Sequence, residues 1–343
     1  MTMLYRCWGA RYGVALLATV LILVSACTSS SDDELSPKQY LSGTVLIGAL
    51  TDIPGWGLYS NGVWSGFDIK LGNWLGEEIG FHPEYVPVTI DERMTKLQKT
   101  TDVEKNNENT PVVKLVIANF SISDKRREKI DFAGPYFIDS QGVLVKNDSA
   151  INKFEDIKNK SVCTTYGSTT QNRLLGMGIH PRSENTLQKC GELLQNETVE
   201  AISSDRAMLE SLAAKNPNNR LAAKNPNNRL AAKNPNSLRL VPDRVGSERY
   251  GIGLPNNRKK LCEFLTEKIA KFINEEWDQK FKDTLPDLTV ENQKPNSGAL
   301  DPCEASQLAL PRAFARPIDL HLTQRYYVTR RARRGRRKNV TGA

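Results

Sequence analysis

The chain has 343 residues, of which 39% are hydrophobic, and a formal net charge of +8. Ten Arg or Lys against Glu304 and Asp319 place that whole excess in residues 304–343, so the remainder balances at zero. A neutral body excludes the basic footprint of a nucleic-acid-binding domain, and its length suffices for one large domain or two lobes.

At the N-terminus, Arg6 and Arg11 precede a mostly apolar run from Tyr12 to Val24 and then Ser25-Ala26-Cys27. A basic start, a short apolar core and small residues before a cut describe a secretory signal peptide over 1–26. The run falls short of the roughly 20 apolar residues that span a bilayer. A cysteine placed directly after the small residues looks like a bacterial lipobox, so Cys27 is the expected lipidation site. Residues 27–39 then read as a polar tether on the extracytoplasmic face of the cell membrane.

Gly43-Thr-Val-Leu-Ile-Gly-Ala-Leu50 reads as a buried strand, followed by a Gly- and aromatic-rich loop from Pro54 to Trp64. From Asp68 to Ile79, the residues Leu71, Trp74, Leu75 and Ile79 fall on one helical face. A strand over 84–90, a helix over 91–99, a polar loop over 100–111, a strand over 114–119 and a helix starting within 121–129 come next. A second series follows: strand 142–146, helix 154–158, strand 161–166, helices 168–175 and 186–195, strand 199–203 and helix 206–215. Strands alternating with helices predict an α/β fold with a mostly parallel sheet.

Leu212-Ala-Ala-Lys-Asn-Pro-Asn-Asn-Arg220 recurs at 221–229 and begins again at 230–236. A nine-residue period is too short for a solenoid unit, and its Asn-Pro-Asn breakers force turns; residues 212–236 therefore read as an insertion. Strand signals return at 238–241 and 250–254. Leu261, Phe264, Leu265, Ile269, Phe272 and Ile273 give the helix 259–276 an apolar stripe. The Arg-rich tail, 304–343, reads as disordered.

Without Cys7 in the signal and Cys27, the cysteines are Cys163, Cys190, Cys262 and Cys303, an even number suited to disulfides in an oxidising compartment. Three pairings are possible, and joining neighbours along the chain is the simplest. Their spacing suits no metal site, and no cofactor is implied. His82, His180 and His321 sit in no acid–base or nucleophile motif, and there is no Gly-x-Ser-x-Gly elbow, so an enzyme is the weaker reading.

Six motifs in order carry a resemblance. Gly66-Phe-Asp-Ile-Lys-Leu-Gly-Asn-Trp-Leu-Gly-Glu-Glu-Ile-Gly80 is similar to the signature of the bacterial extracellular solute-binding proteins, family 3. The likeness continues through Ala118-Asn-Phe-Ser-Ile-Ser-Asp-Lys-Arg126, Ile130-Asp-Phe-Ala-Gly-Pro-Tyr-Phe137, Val162-Cys-Thr-Thr-Tyr-Gly-Ser-Thr-Thr170, Ala201-Ile-Ser-Ser-Asp205 and Tyr250-Gly-Ile-Gly-Leu254. The cysteine positions resemble those of the actinobacterial glutamate-binding lipoproteins.

The resemblance implies an α/β, two-lobed periplasmic-binding-protein-like (type II) fold with central mixed sheets and a ligand cleft between the lobes. Lobe one would be discontinuous, 40–139 plus 249–303, and lobe two would be 140–248. It implies a monomer that binds a free amino acid, glutamate- or glutamine-like, and delivers it to an ABC permease. The alternative is a lipoprotein sensor or scaffold of the same fold that feeds no transporter.

By position in the motifs, Ser121, Arg126 and Thr169 would hold the α-carboxylate, and Asp205 the ammonium. Asp52, Trp56 and Tyr59 would form the wall against the side chain. The chemistry agrees: a guanidinium forks onto a carboxylate, and a helix start near Ser121 favours an anion. Alone, Ser168 reads as an N-cap and so does Asp205. Lys70, Lys114 and Asn119 depart from the family pattern and are expected at the surface or rim; the lack of a basic residue near Tyr59 departs from the glutamate-binding relatives.

Overall fold

The computed structural model describes residues 35–98, 113–215, 237–286, 288 and 293–303. The signal segment, Cys27, the loop 100–111, most of the nine-residue repeat and the tail 304–343 lie outside the described residues.

A single capped turn, α1 (Pro37–Tyr40), leads into β1 (Thr44–Ala49), whose Val45, Ile47 and Ala49 are fully buried. The segment read as a Gly-rich loop is a small antiparallel sheet: β2 (Asp52–Ile53), β3 (Gly57–Ser60) and β4 (Val63–Ser65). Its hairpin turns on Asn61-Gly62, both at positive φ, 53° and 79°. That dipeptide tolerates left-handed backbone where most residues do not, and its twist matches the flanking strands.

Next come α2 (Phe67–Ile79), β5 (His82–Pro87), α3 (Glu92–Gln98) and β6 (Leu115–Val116). The stripe of α2 lands as its periodicity predicts, with Leu71, Trp74 and Leu75 buried. β1 pairs in parallel with both β5 and β6, forming one parallel wing of the sheet.

After a four-residue helix, α4 (Asp124–Arg127), the chain enters a 17-residue strand, β7 (Ile130–Lys146). Sequence patterning located only its end, because nearly every position is buried and no alternation shows. β7 pairs antiparallel with β12 (Val245–Pro255), which in turn pairs antiparallel with β6.

Beyond β7, a 3₁₀ turn (Phe154–Ile157) precedes β8 (Val162–Thr165), α5 (Thr169–Gly176), β9 (Arg182–Glu184), α6 (Leu187–Gln195), β10 (Ala201–Asp205), α7 (Arg206–Lys215) and β11 (Leu238–Leu240). β10, β8 and β9 form a second parallel wing, joined antiparallel to β7 through β10. The strand order is β5-β1-β6-β12-β7-β10-β8-β9, with β11 on β7. The sheet is thus mixed, as the resemblance implies, where the alternation alone predicted a mostly parallel one. Two parallel wings follow the βα rhythm, but the long strands joining them run antiparallel, and nothing local in their sequence encodes that direction.

Two further helices follow, α8 (Lys259–Glu275) and α9 (Trp277–Thr284). In α8, Leu261, Leu265, Ile269, Phe272 and Ile273 are buried, as the stripe requires. Trp277 of α9 donates its indole N–H to the Tyr136 carbonyl of β7 at 2.9 Å. The disulfides join neighbours along the chain: Cys163–Cys190 ties β8 to α6, and Cys262–Cys303 ties α8 to the segment 293–303. Among the described residues, no helix is long and apolar enough to cross a membrane.

Candidate functional site

Between the wings lies a cavity of about 350 Å³. The first wing lines it with Ile90, Asp91, Met94, Phe120 and Arg126, and the second with Tyr166, Gly167 and Gln171. The wings meet closely there. Gly167 has φ 72°, and a Cβ at that position would stand 2.8 Å from the Asp91 backbone. Glycine is required both for the backbone shape and for the approach.

Arg126 bridges the two wings from α4. Its Nη1 donates to the Ser121 carbonyl at 2.6 Å and its Nη2 to the Gly167 carbonyl at 3.2 Å. Ser121 does not open a helix, contrary to the sequence expectation. Residues 120–122 pair with β12 instead: Gly251 N–H donates to the Phe120 carbonyl, Ile122 N–H to the Arg249 carbonyl, and Ser121 bridges Tyr250. The expected helix begins only at Asp124, after Ser123, because β12, absent from any local window, takes residues 120–122 as a strand-like partner.

A second buried guanidinium, Arg93 of α3, escaped sequence analysis. It donates to the carbonyls of Ile90, Ala118 and Asn119 at 2.9, 2.9 and 2.7 Å. Arg93 and Arg126 share the Phe120 ring, with their guanidinium carbons 4.6 and 4.9 Å from its centroid. Burial lowers both pKa values, to about 9 for Arg93 and about 10 for Arg126, so both stay cationic at neutral pH. A polar residue on a short helix gives no sign of burial, so the signal in sequence was weak.

The opposite charges gather around Tyr250. Its hydroxyl donates to Asp205 at 2.7 Å and lies 3.3 Å from an Asp139 oxygen. Asp205 does not cap the helix that follows it; Asp139 takes that part, accepting the Ala207 N–H at 2.9 Å. Burial pushes the Asp139 carboxyl up to about 7. Asp205 is raised well above the ordinary carboxylate range, by burial first and then by the charges of Glu248 and Asp139.

Thr169 donates its hydroxyl to Glu248 at 2.9 Å, and Arg173 donates to the same buried carboxylate at 3.1 Å. Ser168 caps α5 as expected, accepting from the Gln171 N–H. Asn119 was expected at the surface or rim, yet it is 1% exposed. Its N–H donates to Asp68 and its carbonyl accepts from Arg93, which holds it at φ 46°. Asp68 also accepts from the Tyr136 hydroxyl, and burial lifts its pKa to about 7. Lys70 is exposed, and Lys114 reaches the Tyr40 carbonyl.

Ser121, Arg126, Thr169 and Asp205 therefore meet in one network, linked through Gly167, Tyr250 and Glu248. Trp56 adjoins it: fully buried, its ring lies 5.6 Å from that of Tyr250 and 4.6 Å from Phe137. Asp52 faces a different cavity of about 320 Å³, with Gln188 and Glu192 of α6 and Lys215 of α7. Tyr59 is 48% exposed and packs on Trp64. The residues that sequence reading passed over, Arg93, Asp139, Glu248 and Tyr250, are all buried ionisable groups. Their burial comes from neighbours distant in the chain.

The profile of the bacterial extracellular solute-binding proteins, family 3, matches residues 45–284. The glutamate-binding protein GluB of Corynebacterium glutamicum is 28% identical over 206 residues, 58% of this chain and 68% of that one. A glutamine-binding protein of Geobacillus stearothermophilus is 26% identical over 230 residues, 65% of this chain and 77% of the relative. Among solved structures, the cysteine-binding protein of Campylobacter jejuni superposes with a TM-score of 0.59 at 22% identity. It covers 77% of this chain and 96% of its own. The α/β architecture is that of the two-lobed, type II periplasmic amino-acid-binding proteins. With 45–284 matched, the mixed sheet in place and buried charges gathered between its wings, the chain belongs to the bacterial extracellular solute-binding proteins, family 3.

Proposed function

We propose that this protein is a lipid-anchored, extracytoplasmic receptor that binds a free polar amino acid, glutamate- or glutamine-like, and delivers it to an ABC permease. The observation that carries the reading is the placement of Arg126 and Asp205. A zwitterion needs a cation for its carboxylate and an anion for its ammonium, and these two buried groups offer both ends in one network.

In this reading the α-carboxylate takes the Arg126 guanidinium, in place of the carbonyls it now serves. The ammonium takes Asp205, whose ionised form it stabilises. Segments 40–139 with 249–303 and 140–248 act as the two lobes, with β7 and β12 as the crossing strands. Closure brings Gly167 against Asp91 and Arg126 onto the Gly167 carbonyl, and the ligand favours that state by its contacts to both lobes.

Lys125 and Lys129 join Arg126 around the cavity against Asp91 alone, which supports an acidic or neutral side chain over a cationic one. The relatives named for glutamate and glutamine point the same way. Lipidation at Cys27 would keep the receptor beside its permease.

Calorimetric titration with glutamate, glutamine, aspartate, arginine and cystine tests the reading. Saturable binding of glutamate or glutamine, lost in Arg126→Ala, is the expected result, and binding of arginine or cystine instead would overturn the specificity. A folded protein that gives no binding heat with any of them would overturn it.

A further inference from the structure

The segment 293–303 returns against the elements that carry the site, with Gln293 buried at 4% exposure. Ile138 N–H of β7 donates to the Gln293 carbonyl, and Asp301 N–H donates to the Gly134 carbonyl at 2.8 Å. Two residues later the strap is tied to α8 by Cys262–Cys303.

From this position Asp301 meets two arginines. Arg127 donates to one carboxylate oxygen at 3.0 Å and to the neighbouring Pro302 carbonyl at 3.0 Å. Arg249 donates to the other oxygen. Both arginines are the immediate neighbours of site residues. Arg127 follows Arg126 in α4, and Arg249 precedes Tyr250 in β12.

Consecutive strand residues point to opposite faces, and consecutive helical residues are about 100° apart. In each pair one member therefore faces the buried network while the other reaches Asp301. The two segments also touch directly, through the Ile122 N–H to Arg249 carbonyl bond and the Ser121–Tyr250 bridge. One carboxylate thus braces, from behind, the segment presenting Arg126 and the strand presenting Tyr250 to Asp205. At 12% side-chain exposure, with both oxygens engaged, it is shielded enough for those charge-assisted bonds to matter.

We propose that Asp301 is a positioning residue for ligand capture, fixing the spacing between Arg126 and the Tyr250–Asp205 pair, with the Cys262–Cys303 disulfide as the clamp that holds it in place. This rests on the receptor reading above, because it assigns Asp301 a part in binding rather than in folding alone. Removing the carboxylate frees α4 and β12 to shift apart, and the two ends of the ligand then find their partners mis-spaced.

The test is Asp301→Asn in the full chain, with Asp301→Glu as the conservative variant and Cys262→Ser/Cys303→Ser as the clamp variant. Two measurements are made: calorimetric affinity for the bound amino acid, and hydrogen exchange of the ligand-free protein. Asp301→Asn is expected to weaken binding about tenfold, with Asp301→Glu recovering most of it. The clamp variant is expected to fall between them. The amides of Ile122, Arg126, Arg127 and Gly251 are expected to exchange about tenfold faster, while those of Val162–Thr165 in the other wing are unchanged.

Affinity within twofold of wild type, or exchange accelerated equally in both wings, would overturn the proposal. If the wild type binds no amino acid, the receptor reading falls. The exchange pattern still decides whether Asp301 braces these segments, since it needs no ligand.

Discussion

The two charged sides of the site are built differently. On the arginine side, Arg93 and Arg126 are buried among carbonyl oxygens and against Phe120, and their pKa values fall only to about 9 and about 10. Carbonyl dipoles satisfy the guanidinium N–H groups and leave the charge in place. On the carboxylate side, Asp139 and Asp205 share Tyr250, and burial raises the pKa of both, to about 7 for Asp139. A buried arginine cannot shed its charge near neutral pH, whereas a buried carboxylic acid can take one up. The cationic half of the site is therefore fixed, and the anionic half adjusts to pH and to what is bound.

The sharpest way to break the comparison is to remove the fixed charge. Arg126→Ala should cost about 3 kcal/mol of binding free energy, a hundredfold or more in Kd, because it removes the carboxylate partner and leaves nearby acids without that cation. Calorimetry measures it, and a change under fivefold would show that Arg126 serves Gly167 and Ser121 alone. On the adjustable side, Asp205→Asn keeps an acceptor for the Tyr250 hydroxyl but loses the charge. It should weaken binding by about 2 kcal/mol, less than the arginine, since Glu248 and Asp139 remain close. Equal losses at both positions would erase the distinction between the two sides.

The pH dependence sharpens the contrast further. Asp68 and Asp139 have carboxyls raised from 3.8 to about 7. Between those values the folded protein keeps protons that the unfolded chain releases, so their contribution to stability is present below about pH 4 and is lost as pH rises toward 7. Asp139→Asn should flatten that slope in thermal melts across the window. Ligand binding should run the other way. An ammonium on Asp205 favours the carboxylate, so binding releases a proton and tightens with rising pH. Titrations across pH in buffers of different ionisation enthalpy measure it, and affinity that weakens as pH rises would separate Asp205 from the ammonium. The smallest effect belongs to Tyr59→Ala, which should change Kd less than twofold, because Tyr59 lies on an exposed hairpin beside Trp64.

Much of the frame was legible in the chain. The stripes of α2 and α8 followed from a 3.6-residue period, and β1 from a short apolar run between turn residues. The motif positions brought Ser121, Arg126, Thr169 and Asp205 into one network although up to 84 residues separate them, Ser121 to Asp205. Local patterning found the helix within 121–129 but not its start, which pairing of residues 120–122 with β12 delays to Asp124. It also missed the hairpin at Asn61-Gly62, whose signal was present but lay inside an aromatic-rich loop.

By itself the sequence determined which faces would be apolar, where the βα rhythm runs and which cysteines are available, because each depends on residues near one another in the chain. Tertiary structure alone decided the antiparallel crossing of β7 and β12, the burial of Arg93 and Glu248, the exchange of capping duty from Asp205 to Asp139, and the bracing of both site segments by Asp301. Each of these joins groups far apart in the chain. Desolvation and long-range hydrogen bonding depend on the assembled neighbours, and no local pattern carries them.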